Sequence, residues 1–128
     1  MTRYIRLPNN RQLPIYILRS SEDKAQGFQG YREIPTQYGL WFTGVGGSSF
    51  HMRNVAAPLL AVGFEDLGAD HFRVVSASIW EPNLLDLKSG GTEVLECNPS
   101  YQADFTVGQC VHLSDSPHEA PDPRLPAA

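Results

Sequence analysis

The residue types best suited to binding or catalysis lie close together between Trp41 and Asn54. The indole of Trp41 can stack on a ligand, and the imidazole of His51 can transfer a proton or form hydrogen bonds. The guanidinium of Arg53 can bind a carboxylate or a phosphate. We therefore take Trp41, His51, Arg53 and Asn54 as candidate ligand-binding residues, and the last three of them as candidate catalytic residues.

These side chains share one surface if the stretch forms a β-hairpin. Two apolar runs flank the Gly/Ser-rich loop 43–49, and this arrangement predicts a hairpin centred on Gly46. Residues equally far from the centre oppose each other, so Trp41 faces His51, and alternation puts Arg53 on the same face. The opposite face, which we expect to lie towards the core, carries Leu40, Phe42, Phe50, Met52 and Asn54.

The same residues also have a structural interpretation. Arg53 can lie over the Trp41 ring as a cation–π pair in the wall of the sheet, without any ligand. The amide of Asn54 can tie the loop to backbone groups instead of acting in catalysis. Both interpretations stay open at the level of the sequence.

Histidine and cysteine spacing does not indicate metal or covalent chemistry. No two of the four histidines are two or four residues apart, and no carboxylate joins them in a ligand motif. Cys97 and Cys110 lack CxxC spacing, so we interpret both as small core hydrophobes in a reducing compartment. We predict no metal site and no cofactor.

Composition predicts one globular domain and argues against several classes of function. With 128 residues, 41% of them hydrophobic and 19% charged, the chain can bury a single core and is not of the disordered class. The net charge is -4 and basic residues are scattered, which argues against nucleic acid as the primary partner. No apolar run reaches the length of a membrane span or a signal peptide, so we expect a cytoplasmic protein without a membrane partner.

Patterning along the chain predicts an α+β fold that is mainly β. We expect a small twisted, barrel-like sheet of antiparallel or mixed strands with one or two short helices. The predicted strands are 4–7, 13–19, 40–42, 50–54, 58–66, 71–80, 92–97 and 107–113, with helical segments at 21–29 and 99–105. One core should contain Phe42, Phe50, Met52, Leu60, Val62, Phe64, Val74 and Leu95.

The chain divides into a domain and a tail. Residues 1–113 form the predicted barrel-like domain, and residues 114–128 contain four prolines without apolar periodicity. Proline restricts the chain, so an extended segment loses little entropy on docking. We expect the tail to lie against the domain or against a second copy in a homo-oligomer.

Several short motifs, in order, resemble a known family over about residues 24–113. The stretches are 25–32 (Ala-Gln-Gly-Phe-Gln-Gly-Tyr-Arg), Ile34-Pro35, 39–42 (Gly-Leu-Trp-Phe), 50–54 (Phe-His-Met-Arg-Asn), Pro58-Leu59, 94–96 (Val-Leu-Glu) and Val107-Gly108. Together they resemble a divergent member of the family called domain of unknown function 192.

Residue by residue, the resemblance rests on matches and on a few replacements. The matching positions are Gly27, Gly30, Gly39, Phe42, Phe50, Met52 and Asn54. His51 stands where the family has tryptophan, Arg53 where it has lysine, and Trp41 where a smaller aliphatic residue is usual. The resemblance implies a small β-rich, barrel-like α+β fold and no established activity.

Our leading hypothesis is a binding or accessory module that holds a small ligand or a protein partner. Its face would consist of Trp41, His51 and Arg53, rimmed by the loop 43–49. The enzymatic alternative is a hydrolase in which His51 is the general base and Arg53 or Asn54 stabilises an anion. A third hypothesis is a phage-encoded interaction protein. The surroundings of His51 discriminate among them: a concave pocket with a perturbed titration favours the enzyme, a stacked tryptophan without a cavity favours a structural wall, and a flat apolar surface favours a partner.

Overall fold

Seven strands form the architecture, each from a run rich in apolar or β-branched residues. The computed structural model describes residues 2–115. The strands are β1 (Thr2–Arg6), β2 (Gln12–Leu18), β3 (Gly39–Phe42), β4 (Leu59–Gly68), β5 (His71–Trp80), β6 (Glu93–Cys97) and β7 (Cys110–Asp115). The helical segments are the α-helix α1 (Ser21–Gln26) and 3-10 turns at Pro8–Asn10 and Pro99–Asp104. The predicted fold class, α+β and mainly β, is confirmed.

The strands close into a barrel in the order β1-β2-β3-β6-β4-β5-β7, with β7 returning to β1. Only β2 and β3 run parallel, and all other neighbours are antiparallel. The predicted first hairpin, β1–β2, and the predicted closure by the last strand are both present. Ser114 and Asp115, assigned from sequence to the tail, are the end of β7. The docking predicted for the rest of the tail, residues 116–128, lies outside the described residues.

The predicted hairpin between residues 40–42 and 50–54 is wrong. β3 pairs instead with β2 on one side and with β6 on the other. Phe50 forms only an isolated bridge with Leu87. All four residues of β3 are buried, which is typical of an inner strand covered on both faces and not of half of an exposed hairpin.

The barrel wall separates two apolar layers, so the single predicted core is in fact two. The inner layer fills the barrel and contains Leu60, Val62, Phe64, Val74 and Leu95 from the predicted set, together with Trp41. The outer layer lies under α1 and the loops and contains Phe42 and Met52, with Phe50 half-buried against it. Alternation along each strand sends neighbouring residues to different layers.

The helix α1 is shorter than its sequence pattern indicated. The side chain of Ser20 caps its start by accepting a hydrogen bond from the Asp23 amide at 3.1 Å. The helix was expected to reach Gln29 but ends at Gln26, because Gly27 adopts φ 45°, where only glycine is unstrained. No helix within residues 2–115 is both long and apolar enough to cross a membrane.

Trp41 should contribute more to stability than Phe50. The Trp41 ring is 2% exposed and lies 4.9 Å from the Phe64 ring and 5.0 Å from the Phe72 ring, centroid to centroid. We expect Trp41→Ala to lower the free energy of unfolding by about 3–5 kcal/mol, and Phe50→Ala by roughly half as much. Urea denaturation of both variants measures the two losses. An equal or larger loss for Phe50→Ala would contradict the two-layer assignment.

Candidate functional site

A pocket of about 330 Å³ opens on the outer layer, between α1 and the loops that follow β3. Its lining comes from three parts of the chain that are distant in sequence. The lining residues are Ser21, Lys24, Ala25, Gln26, Gly27, Phe28, Gln29, Phe42, Val45, Ser48, Ser49, Phe50, His51, Met52, Val55 and Glu96. The pocket therefore exists only when the barrel has brought α1, β3 and β6 together.

Glu96, on β6, lines this pocket from the side of the barrel. On β6, Leu95 and Cys97 point into the barrel, whereas Val94 belongs to the outer layer. Alternation places Glu96 on that outer face, where it is 5% exposed. A Cβ built on Gly27 would lie 3.5 Å from Glu96 Oε1 and 3.5 Å from Phe42 Cζ, so the missing side chain of Gly27 leaves the carboxyl oxygen accessible to the pocket.

Glu96 has no hydrogen-bond or ion-pair partner among residues 2–115. The two other buried carboxyl groups there are partnered: Asp104 accepts a hydrogen bond from Arg11 at 2.6 Å, and Glu93 accepts one from the Gly44 amide at 3.1 Å. Burial alone raises the pKa of Glu96 from 4.5 to about 8. The group is therefore mostly a neutral carboxylic acid at pH 7.

Aromatic rings and a thioether form the apolar walls around this acid. Phe42 and Phe50 meet edge to face, with centroids 5.4 Å apart and an interplanar angle of 81°.

The backbone of Phe50 exchanges two hydrogen bonds with Leu87, at 2.7 and 2.9 Å, and the Met52 amide donates to the Leu84 carbonyl at 2.8 Å. These bonds hold the loop after β3 against the turn that follows β5.

The structure does not assemble the predicted face of Trp41, His51 and Arg53. Trp41 points into the barrel, and its ring contacts Phe64 and Phe72, so neither the stacking role nor the cation–π pair with Arg53 is formed. His51 is exposed and lines the pocket, and its Nδ1 accepts a hydrogen bond from the Arg53 amide at 3.2 Å. Arg53 is exposed and lies outside the lining. The reason is that β3 pairs with β6 and not with the His51 segment.

Asn54 connects the two segments that cover the pocket. Its backbone has φ 59°, its carbonyl accepts a hydrogen bond from the Gly30 amide at 2.8 Å, and its side-chain amide donates to Gln29 Oε1 at 3.4 Å. Asn54 thus ties the loop after β3 to the turn after α1. The expected position of Asn54 on the core face is wrong, since the residue is exposed, and its side-chain amide contacts a side chain instead of the expected backbone groups.

Cysteine and histidine placement differs in part from the sequence-based expectation. Cys97 is buried, as predicted, but Cys110 is exposed because alternation on β7 turns it outward. The expectation of a second core cysteine is therefore wrong.

His71 and His112 are register partners on β5 and β7, with ring centroids 4.5 Å apart. Within residues 2–115, no group of three or more potential ligands is placed to hold a metal ion.

Sequence reasoning did not select Glu96 as a site residue. The available signal was an acidic residue inside the otherwise apolar run Val94-Leu95-Glu96-Cys97. Such a residue is either paired, at the edge of the sheet, or functional. Only the structure distinguishes these cases, because it shows β6 buried along its whole length.

Two solved structures share this fold. A crystal structure of a protein of unknown function from Novosphingobium aromaticivorans DSM 12444 is 20% identical, with a TM-score of 0.60 over 88% of this chain and 83% of that one. A crystal structure of a proposed transcription regulator from Sinorhizobium meliloti 1021 is 16% identical, with a TM-score of 0.57 over 88% of this chain and 91% of that one. At these identities the similarity shows the fold alone. No protein-family model and no curated protein matches the sequence.

Replacing the Glu96 carboxyl by an amide should stabilise the protein at neutral pH. Between pH 4.5 and about 8 the folded state keeps a proton on Glu96 that the unfolded state has lost. Stability from this group is thus complete below pH 4.5 and falls as the pH rises through that window. We expect Glu96→Gln to exceed the wild type by roughly 2–3 kcal/mol at pH 7 and to equal it near pH 4.

Urea denaturation of both proteins at pH 4, 5.5 and 7 tests this expectation. Glu81→Gln is the matched control, because Glu81 is exposed directly after β5 and its substitution changes the charge equally. The control should follow the wild type across the series. A Glu96→Gln variant less stable than the wild type at pH 7 would mean that the carboxyl has a favourable partner in the folded protein.

Proposed function

We propose that this protein is a small-molecule-binding module and that its site is the pocket floored by β3 and β6. The observation that carries the proposal is the Glu96 carboxyl group, 95% buried and unpartnered within residues 2–115, beside an open concave space. A buried polar group without a partner costs folding free energy. A ligand that supplies the missing hydrogen bonds offsets that cost.

The dimensions and lining of the pocket support this function. Its volume of about 330 Å³ is at the lower end of the range typical of ligand sites, which suits a ligand of one ring or a short chain. Phe28, Phe42, Phe50 and Met52 provide apolar contacts, and Glu96 provides the polar group that fixes orientation. The other polar residues of the lining, among them Gln26, Ser48 and Ser49, can offer further hydrogen bonds to a ligand.

We also propose that the chain is a divergent member of the family called domain of unknown function 192. The motifs that carry the resemblance meet around the pocket: 25–29, Phe42, 50–52 and Glu96 all contribute to its lining. This convergence supports a shared site. A cytoplasmic location, a phage origin and a protein partner remain hypotheses drawn from the sequence alone.

An enzymatic function is a second candidate, favoured by one observation. A carboxyl group kept protonated at neutral pH by burial is suited to general acid catalysis. The sequence-based version of this hypothesis used His51 with Arg53 or Asn54, and of these only His51 lines the pocket. Turnover of a bound compound that ceases in Glu96→Gln, while binding persists, would distinguish an enzyme from a binding module.

Filling the pocket mouth should abolish ligand binding. Ala25 is exposed on α1 and lines the pocket, so Ala25→Trp places an indole at the entrance. We expect fragments that raise the melting temperature of the wild type to have no effect on this variant, since a fragment must bind the folded state to raise that temperature. A thermal-shift screen, followed by NMR titration of the fragments found, measures the effect.

Ala103→Trp is the control for this substitution. Ala103 is exposed on the 3-10 turn Pro99–Asp104, which does not contribute to the lining. The fragments should stabilise this variant as they stabilise the wild type. Equal stabilisation of Ala25→Trp, or fragment-induced NMR shifts that avoid the lining residues, would place the ligand site elsewhere.

A further inference from the structure

We infer that the pocket selects small organic cations, amines or amidines with a compact apolar body, and that Glu96 is their counter-ion. This inference rests on the proposed function, and it names the ligand class. It follows from three features of the lining: a carboxyl group without an ion-pair partner within residues 2–115, aromatic rings, and hydroxyl and amide oxygens.

The first feature is the carboxyl group itself. An ammonium or amidinium group donates two or more charge-assisted hydrogen bonds, which is what the oxygens of Glu96 lack within residues 2–115. Lys24, the one Lys or Arg in the lining, forms no ion pair with Glu96. The protein therefore does not neutralise this acid with its own cation, and the position is free for a cation from solution.

The second feature is the aromatic wall. A cation near the face of a phenyl ring is attracted by its quadrupole, and the attraction is largest where water is excluded. Phe42 Cζ and Glu96 Oε1 lie 3.5 Å from the same point, the position that a Cβ on Gly27 would occupy, and Phe50 meets Phe42 edge to face. The same rings provide apolar contact for the body of the ligand, which a hydrated metal ion would not use.

The third feature is the set of neutral acceptors. Side chains of Gln26, Gln29, Ser48 and Ser49 line the pocket and can accept hydrogen bonds from further N–H groups. Above the pKa of Glu96, an anionic ligand would lie beside an ionised carboxylate, and like-charge contact at low dielectric disfavours that ligand. Lys24 also lines the pocket and would attract an anion, so the benzoate probe below measures which of the two charges decides.

Cation binding at this site is linked to release of a proton. Glu96 is mostly protonated at pH 7, so an ammonium ion binds with loss of that proton to solvent. Affinity should rise with pH until Glu96 is ionised. The other ionisable side chains in the lining are His51 and Lys24, and a positive charge on either of them opposes a cation. The variant His51→Asn therefore separates the contribution of His51 to the pH dependence from that of Glu96.

Three probes of similar size and different charge test the inference: benzylammonium chloride, benzyl alcohol and sodium benzoate. Each is titrated into labelled protein and followed through the backbone amides of residues 27–29 and 50–52. We expect the cation to bind at least tenfold more tightly than the alcohol at pH 8.5, and benzoate not to bind. The cation should bind about eightfold more weakly at pH 7 than at pH 8.5, in both the wild type and His51→Asn.

Matched variants assign the effect to one carboxyl group. Glu96→Gln should lose at least tenfold in affinity for the cation and keep its affinity for the alcohol, while the exposed control Glu81→Gln should behave as the wild type. Equal binding of cation and alcohol, unaffected by Glu96→Gln, would overturn the cation preference and leave the binding pocket standing. If none of the probes shifts the lining amides, both the cation preference and the proposed function fail.

Discussion

The pairing of β3 with β6 is the constraint on which the rest of the structure depends. Both strands are buried along their whole length, so each of their residues must fit one of two apolar layers. In the register that pairs Trp41 with Leu95 and Phe42 with Val94, the first pair fills the barrel and the second lies outside it. The outer layer needs a cover, which α1 and the loops after β3 provide.

That cover leaves one acidic residue, Glu96, almost fully buried in an apolar layer at the base of the pocket. Glu96 is a register partner of Leu40 on one side and of Ala61 on the other, so apolar residues flank it across both ladders. Its ionised form is disfavoured there, and its neutral form still lacks hydrogen bonds. Stability alone would be better served by an apolar residue at this position, and sites that sacrifice stability in this way are typically functional.

Local patterns predicted most strands, because strand length, turn residues and apolar runs are local properties. The β1–β2 hairpin and the β7 strand follow from them. The partner of β3 does not follow from them. An apolar run beside a flexible loop fits a tight hairpin at 43–49, and it fits equally well a parallel pairing with β2 through a crossover that contains α1. The same error misplaced Trp41. His51 does line the pocket, where its role stays a prediction, whereas Glu96 was missed because a single acidic residue in a strand forms no motif.

The barrel and the cover of the pocket differ in how they are held, and this difference bears on ligand entry. Continuous ladders close the barrel, whereas six-residue α1 is too short to be stable alone and depends on its contacts. Its following turn is tied by the Gly30–Asn54 backbone bond, and the loop after β3 by bonds from Phe50 and Met52. Opening the cover would therefore break only a few hydrogen bonds and leave the ladder that positions Glu96 intact. Preorganisation of the carboxyl and adaptability of the entrance thus come from different parts of the fold.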